Sequence, residues 1–236
     1  NVFKKEDVTN RSNADRDYVM SQVNNSNYGF FPTHELNKDT IVYNLSGGAQ
    51  WTGGSVDPYK NILYVTANNI PTKLKVLASH DITKNFEYKT NVIKTEMLKD
   101  LNGYPGVKPP WGTLSALDLN TGKIIWQVPL GYYEELKLKK EADTGTENFG
   151  GATATAGGLV FASGTLDKLI RAFDAENGKE LWSYKLPYIG SAPPTSYEVN
   201  GEQYIIIPAT GGISLKSLYP ERVKNGDAFV AFKIQD

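Results

Sequence analysis

The sequence contains no cysteine and only two histidines among its 236 residues. Without thiols the chain cannot form disulfides, use a cysteine nucleophile or attach haem through a C-x-x-C-H motif. His34 and His80 both lie in polar surroundings, which argues against a histidine-based triad or a zinc site. No P-loop and no G-x-G-x-x-G segment opens a helix, so a nucleotide site is not expected either.

Neither sign of charge dominates the sequence. Lys and Arg number 25 and Asp and Glu number 26, which gives a formal net charge of −1 and a pI near 6.2. This balance supplies no overall electrostatic reason to expect nucleic acid or an anionic membrane as partner. No apolar run approaches the roughly 20 residues that span a bilayer, and Asn1–Lys5 does not resemble a signal peptide. We therefore expect a globular domain.

The stretch from residue 147 to residue 190 contains one complete structural unit. Four short apolar or small-residue runs alternate with turns, and the Asn177-Gly178 pair is typical of a tight hairpin because it tolerates positive φ. The four runs are Gly150–Ala156, Leu159–Ala162, Leu169–Asp174 and Glu180–Tyr184. A four-stranded antiparallel meander of about 40 residues has the size of one β-propeller blade.

One motif of this unit also occurs earlier in the chain. Ala116 to Trp126 has the pattern Ala-x-Asp-x-x-Thr-Gly-Lys-x-x-Trp, and Ala172 to Trp182 repeats it 56 residues later with Asn in place of Thr. In each copy the Asp can accept hydrogen bonds from turn amides, and the Gly takes the strained turn position. The Trp, at a fixed distance after the turn, is expected to dock between neighbouring blades. The repeat predicts an all-β fold of propeller blades in which these residues serve packing.

About three blades are expected over residues 30–236, and Phe30–Pro32 and Thr40–Leu45 are expected to form strands before the first of them. Gly47–Pro58 and Ile62–Ala67 predict the first two strands of the first blade. Tyr204–Ala209 and Asp227–Lys233 predict strands of the last blade, which stops before a hairpin of the Gly-Lys-x-x-Trp type. The last blade is therefore expected to be incomplete.

Two segments do not follow the blade pattern. Residues 1–29 are polar and predict a leader or an insertion, with a short helix around Asp15–Val23 capped by Asn13 or Asp15. Residues from about 70 to 108 interrupt the first blade without a clear period, and we interpret them as an insertion. Connections longer than about 12–15 residues are usually functional or mobile.

The repeated motif resembles the tryptophan-docking motif of the pyrroloquinoline-quinone (PQQ) dehydrogenases, the quinoprotein glucose and alcohol dehydrogenases. Three further segments are similar, in the same order, to the C-terminal region of the glucose-dehydrogenase branch: Pro109–Leu114, Thr144–Gly151 and Gly226–Phe232. The resemblance covers roughly Gly47 to the end of the chain, apart from the insertion. It implies part of an eight-bladed propeller that holds PQQ and Ca²⁺ near its axis and oxidises a sugar or an alcohol.

The resemblance also implies which residues contact the cofactor. In this family the first innermost strand usually carries Asn-Trp near the quinone oxygens, and Gln50-Trp51 occupies that position here. Asn148, Phe149 and Gly150 match a lip that touches the edge of the cofactor. Asp167 lies in a Gly-Thr-x-Asp turn where the family has an Asp near the site, although the residues themselves favour a structural role in the turn.

Other family features have no counterpart in this sequence. The family's calcium ligands, its catalytic Asp base and its quinone-contacting Lys or Arg lie upstream of the matching region, so no catalytic residue and no metal ligand is assigned. A polar active-site position near the C-terminus is occupied by Ile213.

Two function classes follow. In the first, the chain is the C-terminal part of a PQQ dehydrogenase, periplasmic or exported as the resemblance implies, and is inactive by itself. Its missing blades would come from a longer chain or from self-association through open strand edges. In the alternative, the chain is a non-catalytic propeller module that has lost the cofactor site and binds partners.

Overall fold

The computed structural model describes residues 2–43, 47–77, 92–139 and 143–233. These residues form two compact units, one of residues 1–48 and 69–109 and one of residues 49–68 and 110–236. In chain order the strands are β1 (Asp39–Val42), β2 (Gly47–Asp57), β3 (Ile62–Asn69), β4 (Thr72–Leu77), β5 (Val92–Met97), β6 (Gly112–Asp118), β7 (Lys123–Pro129), β8 (Ala152–Ala154), β9 (Leu159–Ala162), β10 (Leu169–Asp174), β11 (Glu180–Lys185), β12 (Thr195–Val199), β13 (Glu202–Ala209) and β14 (Ala228–Lys233). The helices are α1 (Asn13–Asn24), α2 (Glu134–Lys137) and α3 (Ile213–Leu218), and Lys5–Asp7 forms a short 3₁₀ turn.

The first unit combines helix α1 with a three-stranded antiparallel sheet in the order β1-β4-β5. Helix α1 buries Val19 and Val23. The polar start of the chain and the inserted segment, which the sequence presents as separate features, therefore share one unit.

Two local predictions for this unit were wrong, and two strands were not predicted. The cap of α1 is Ser12, whose Oγ accepts a hydrogen bond from the Asp15 amide at 3.0 Å, because a Ser side chain reaches the third helical amide as well as Asp does. Phe30–Pro32 forms an exposed bend instead of a strand. The aperiodic insertion contains the paired strands β4 and β5.

The second unit contains three antiparallel sheets that follow one another along the chain. Their strand orders are β2-β3-β6-β7, β11-β10-β9-β8 and β12-β13-β14. The predicted meander over residues 147–190 is confirmed, with its first strand reduced to Ala152–Ala154. The open, consecutive sheets confirm the predicted partial propeller.

Two apolar clusters hold these sheets together. One joins the first and second sheets and contains Tyr64, Leu114, Val160 and Phe173. The other joins the second and third sheets and contains Ile170, Leu186, Ile205, Ile207 and Ala209. Residues on alternate positions of β13 are buried, as the period of two in a strand requires.

The turn of the repeated motif has the predicted chemistry. Asp118 Oδ1 accepts from the Asn120 amide at 2.8 Å, and Asp174 Oδ1 accepts from the Glu176 amide at 2.7 Å. Gly122 and Gly178 take φ values of 69° and 74°, which a side chain would strain. The pKa of Asp118 is lowered by these turn hydrogen bonds, first of all by that from the Asn120 amide. The Asp and Gly of the motif are confirmed as turn residues.

Candidate functional site

The innermost strands of the three sheets converge around β8. The Ala154 amide donates to Ser55 Oγ on β2 at 2.9 Å, and Thr153 Oγ1 donates to the Pro194 carbonyl at 2.5 Å. One strand of the second sheet therefore contacts β2 of the first sheet and the residue directly before β12 of the third. This convergence positions the residues that the sequence identified as candidates.

Gln50 and Trp51 lie on opposite faces of β2. Gln50 is only 5% exposed, and its Oε1 is buried without a hydrogen-bond partner among the described residues. Trp51 is 79% exposed, whereas Trp111 is fully buried. A large exposed indole and a buried, unsatisfied amide oxygen at neighbouring positions are both unusual for a residue pair that only packs.

Asn148 forms a reciprocal pair with Asn68, which sequence reasoning missed. Asn148 Nδ2 donates to Asn68 Oδ1 at 2.8 Å, and Asn68 Nδ2 donates to the Asn148 carbonyl at 2.9 Å. Both side chains are buried, and Asn148 Oδ1 has no partner within the described chain. The amide of Asn148 thus ties the end of β3 to the loop before β8. The only sequence signal for Asn68 was an amide residue directly after a buried strand.

Phe149 and Gly150 run close to the segment that follows β9. The Phe149 amide donates to the Gly164 carbonyl at 3.2 Å. A Cβ built at Gly150 would lie 2.1 Å from the Ser163 carbonyl oxygen, so no larger residue fits there. Phe149 is buried, with 7% of its surface exposed. These two residues form a close contact between backbone segments.

Both carboxylate oxygens of Asp167 have partners within the chain. Oδ1 accepts from Thr165 Oγ1 at 2.6 Å and from the Leu169 amide at 3.0 Å. Oδ2 accepts from the Tyr132 amide at 3.1 Å and pairs with the Arg171 guanidinium. Burial is the largest single effect and opposes the charged form of Arg171, but the charges and hydrogen bonds of Asp167 and Glu180 together raise the pKa of the guanidinium. No oxygen of Asp167 is left for a ligand.

The structure therefore separates the candidates on β2 and in the segment before β8, which lie close together, from Asp167, which is held in an ion pair. A Cβ built at Gly151 would lie 3.1 Å from Thr52 Oγ1, so the strand of Gln50 and Trp51 reaches the segment of Asn148 to Gly151. Asp167 lies beside this segment but is occupied by its ion pair. Ile213, at the start of α3, is 83% exposed. Within the described residues, no group of three or more His, Asp or Glu side chains is placed to hold a metal ion.

A buried cluster of hydroxyl groups lies behind this region. The Tyr133 and Tyr219 hydroxyls are 3.2 Å apart. Burial is the main cause that raises the pKa of both tyrosines, and the Glu147 charge adds to it. Both hydroxyls are therefore protonated at neutral pH.

A groove of about 500 Å³ lies elsewhere, on the first unit. It is lined by apolar and aromatic side chains, among them Phe3, Phe30 and Tyr43. None of the predicted site residues lines it.

The comparisons with known proteins agree with one another. The sequence profile of the family "PQQ: Glucose/ethanol/alcohol dehydrogenase, beta-propeller domain" matches residues 1–205. A quinate/shikimate dehydrogenase (quinone) of Acinetobacter baylyi is 31% identical over 80% of this chain, and a quinoprotein glucose dehydrogenase of Escherichia coli is 30% identical over 88%. The chain spans 26% and 28% of the length of these two relatives.

A solved structure gives the same fold. A europium-containing methanol dehydrogenase superposes with a TM-score of 0.59 over 80% of this chain and 31% of that one, at 22% identity. No helix in the described part of the chain has the length and apolar character required to cross a membrane.

Proposed function

Because the chain belongs to the PQQ-dependent glucose, ethanol and alcohol dehydrogenase β-propeller family, we propose that it is the part of such an enzyme that forms one wall of the cofactor site. The complete enzyme would oxidise a sugar or an alcohol. When bound, PQQ supplies the quinone that takes two electrons from the substrate. The chain supplies binding and orientation.

One observation carries this proposal. Trp51 presents a 79% exposed indole at the point where the innermost strands converge. An exposed indole is a good surface for stacking a planar, aromatic ring system, and such contacts contribute about 0.5–1.5 kcal/mol beyond buried area. PQQ is a planar tricyclic quinone. Trp51 is therefore proposed to stack on it.

The neighbouring residues would position the strand and the edge around the stacked ring. Gln50 is buried on the face of β2 opposite Trp51, so it would act on the cofactor through the position of the strand that carries the indole. Asn148, Phe149 and Gly150 would shape the edge of the site from behind, since their side chains are buried or absent. Asp167 would act only through the shape of its turn, because its oxygens are occupied.

Calcium, a periplasmic or exported location, and completion of the ring by further blades or by self-association belong to the proposal for the complete enzyme. Calcium prefers oxygen ligands such as clustered carboxylates. Since the part of this chain that the structure describes holds no such cluster, we assign no calcium ligand to it.

The test is titration of the 236-residue chain with PQQ and Ca²⁺, followed by quinone absorbance and thermal stability. We expect one PQQ per chain and a rise in Tm. Trp51→Ala should weaken binding at least about tenfold, and Trp182→Ala, which removes another partly exposed indole, should not. Absence of binding at saturating cofactor would favour the alternative, a propeller module without a cofactor site.

A further inference from the structure

We propose that Asn200 is a site of spontaneous deamidation, at which the side-chain amide is converted to aspartate and isoaspartate through a cyclic succinimide. The inference is independent of the cofactor. It assigns a covalent modification to the hairpin between β12 and β13.

The sequence contains four Asn-Gly pairs, and all four are chemically capable of the reaction. They are Asn102-Gly103, Asn177-Gly178, Asn200-Gly201 and Asn225-Gly226. Glycine has no side chain to shield its backbone nitrogen, which is the attacking atom. The asparagine of every pair is exposed in the folded chain, so exposure does not distinguish the pairs.

The glycine amides do distinguish them. Each amide must lose its proton before it attacks, and a hydrogen bond opposes that loss. Three of the amides donate to backbone carbonyls: Gly103 to Asp100 at 3.2 Å, Gly178 to Asp174 at 2.9 Å, and Gly226 to Thr210 at 3.1 Å. The Gly201 amide makes no hydrogen bond to any residue that the structure describes.

The asparagine side chains differ in the same sense. The side chain must rotate to bring its Cγ to the glycine nitrogen. Asn102 Nδ2 donates to Asp15 Oδ1 at 3.0 Å, and Asn177 Nδ2 donates to Asp174 Oδ2 at 3.0 Å. The exposed side chain of Asn200 has no such bond within the described ranges of the chain. Asn200 therefore has both reacting groups available.

The turn geometry explains why the Gly201 amide is free. Asn200 and Gly201 take φ values of 54° and 79° and are the central residues of a hairpin turn in which Val199 pairs with Glu202. In a tight turn the hydrogen bond joins the two flanking residues. The amide of the second central residue is left to solvent.

The reaction requires only water. The deprotonated Gly201 nitrogen attacks Asn200 Cγ, an N–Cγ bond forms, the Cγ–Nδ2 bond breaks, and the amide nitrogen leaves as ammonia. Water then opens the succinimide at either carbonyl. Opening at the side-chain carbonyl gives aspartate, and opening at the main-chain carbonyl gives isoaspartate, whose backbone runs through the former side chain.

The two products should affect the hairpin differently. Aspartate keeps the backbone and tolerates positive φ as asparagine does. Isoaspartate adds a backbone carbon to a turn whose length sets the register between β12 and β13. We therefore expect isoaspartate to lower the Tm of the chain and aspartate to leave it nearly unchanged.

The experiment is incubation of the full folded chain at mildly alkaline pH, with peptide mapping by mass spectrometry at intervals. We expect Asn200 to deamidate at least about tenfold faster than the other three asparagines, because their glycine amides must first open. Hydrogen exchange on the same sample should show the Gly201 amide exchanging faster than those of Gly103, Gly178 and Gly226. Chromatography separates the aspartate and isoaspartate peptides, which have equal mass.

Two controls isolate the effect of the fold. In urea all four pairs should react at similar rates, because unfolding frees every glycine amide. Asn200→Asp removes the reaction and keeps the turn, so the fresh variant should have the wild-type Tm. On incubation the Tm should fall in wild type more than in the variant.

Each outcome bears on the proposal. Equal rates at the four asparagines of the folded chain, or a faster rate at another one, would overturn it. The same advantage of Asn200 in urea would also overturn it, because the neighbouring residues in sequence would then be the cause. Slow hydrogen exchange at Gly201 would contradict the free amide on which the assignment depends.

Discussion

Trp126 and Trp182 occupy the same position of the repeated motif but differ in their surroundings. Trp126 Nε1 donates to the Ala175 carbonyl at 3.0 Å, and a Cβ built at Gly178 would lie 2.6 Å from its ring. Trp182 is 39% exposed and packs edge-on against Phe232, with centroids 5.1 Å apart. Within the described residues, its N–H has no acceptor.

The difference shows what the docking of this tryptophan requires. Trp126, of the first sheet, docks on the turn that joins β10 and β11 of the second sheet. The third sheet consists of three strands in the part of the chain that the structure describes, and no such turn follows β14 there. The Trp is thus half of an interface, and the turn of the next sheet is the other half. We therefore expect the contacts between the first and second sheets to stabilise the chain more than those between the second and third.

The largest effect is expected from the ion pair beside the first interface. Asp167→Ala should lower the free energy of unfolding by about 3–5 kcal/mol, because it leaves the Arg171 guanidinium buried without its main partner. Lys185→Ala, which removes an exposed pair with Glu134, should cost less than about 1 kcal/mol. Urea denaturation measures both. An unchanged midpoint for Asp167→Ala would contradict the structural role of this carboxylate.

The two tryptophans provide the second test. Trp126→Ala should destabilise by about 3 kcal/mol, since it removes a packed ring and leaves the Ala175 carbonyl with fewer donors. Trp182→Ala should cost about 1 kcal/mol, because its ring is partly exposed already. Thermal and urea unfolding of the two variants give the comparison directly. Equal losses of stability would show that docking on the turn between β10 and β11 does not determine how much Trp126 stabilises the chain.

The turn glycines test the same interface from its other side. Gly178→Ala should cost about 2–3 kcal/mol, because the new methyl group would both strain a left-handed residue and meet the Trp126 ring. Gly122→Ala has the same backbone strain with nothing within 4 Å of the new Cβ, and should cost only about 1 kcal/mol. The difference between the two midpoints isolates the tryptophan contact. It should disappear in a Trp126→Ala background.

The smallest effect at neutral pH concerns the Tyr133 and Tyr219 hydroxyls, which join loops near the first and third sheets. Burial raises the pKa of both above the ordinary value of about 10. The two protonated hydroxyls therefore make their full contribution to the free energy of unfolding below about pH 10. This contribution is lost as pH rises toward the folded pKa values, at up to about 1.4 kcal/mol per pH unit for each tyrosine. Denaturation between pH 7 and pH 11 should show a shallower decline for Tyr133→Phe/Tyr219→Phe than for wild type. Parallel curves would argue against two buried, titrating phenols.

Local chemistry accounts for what was predictable. The strands β9, β10 and β13, the Asn-Gly turn and the Asp-to-amide bonds depend on neighbours close in sequence, and the structure confirms them, although β10 buries four consecutive residues where alternation was expected. Strands β4 and β5 were missed because their pairing partners are distant in sequence, since β4 pairs with both β1 and β5. Gln50 and Trp51 could be singled out from motif likeness. Their burial and exposure could not, because those depend on how β2 lies against the second sheet.

The amino-acid sequence by itself determined the blade repeat, its turns and the family, because period and turn chemistry are local properties. Only the tertiary structure decided which side chains are satisfied. It paired Asn148 with Asn68, occupied both oxygens of Asp167, and left Thr52 and Gln50 with buried polar atoms that lack partners among the described residues. Hydrogen-bond satisfaction depends on contacts between strands far apart in sequence, and no local pattern records them.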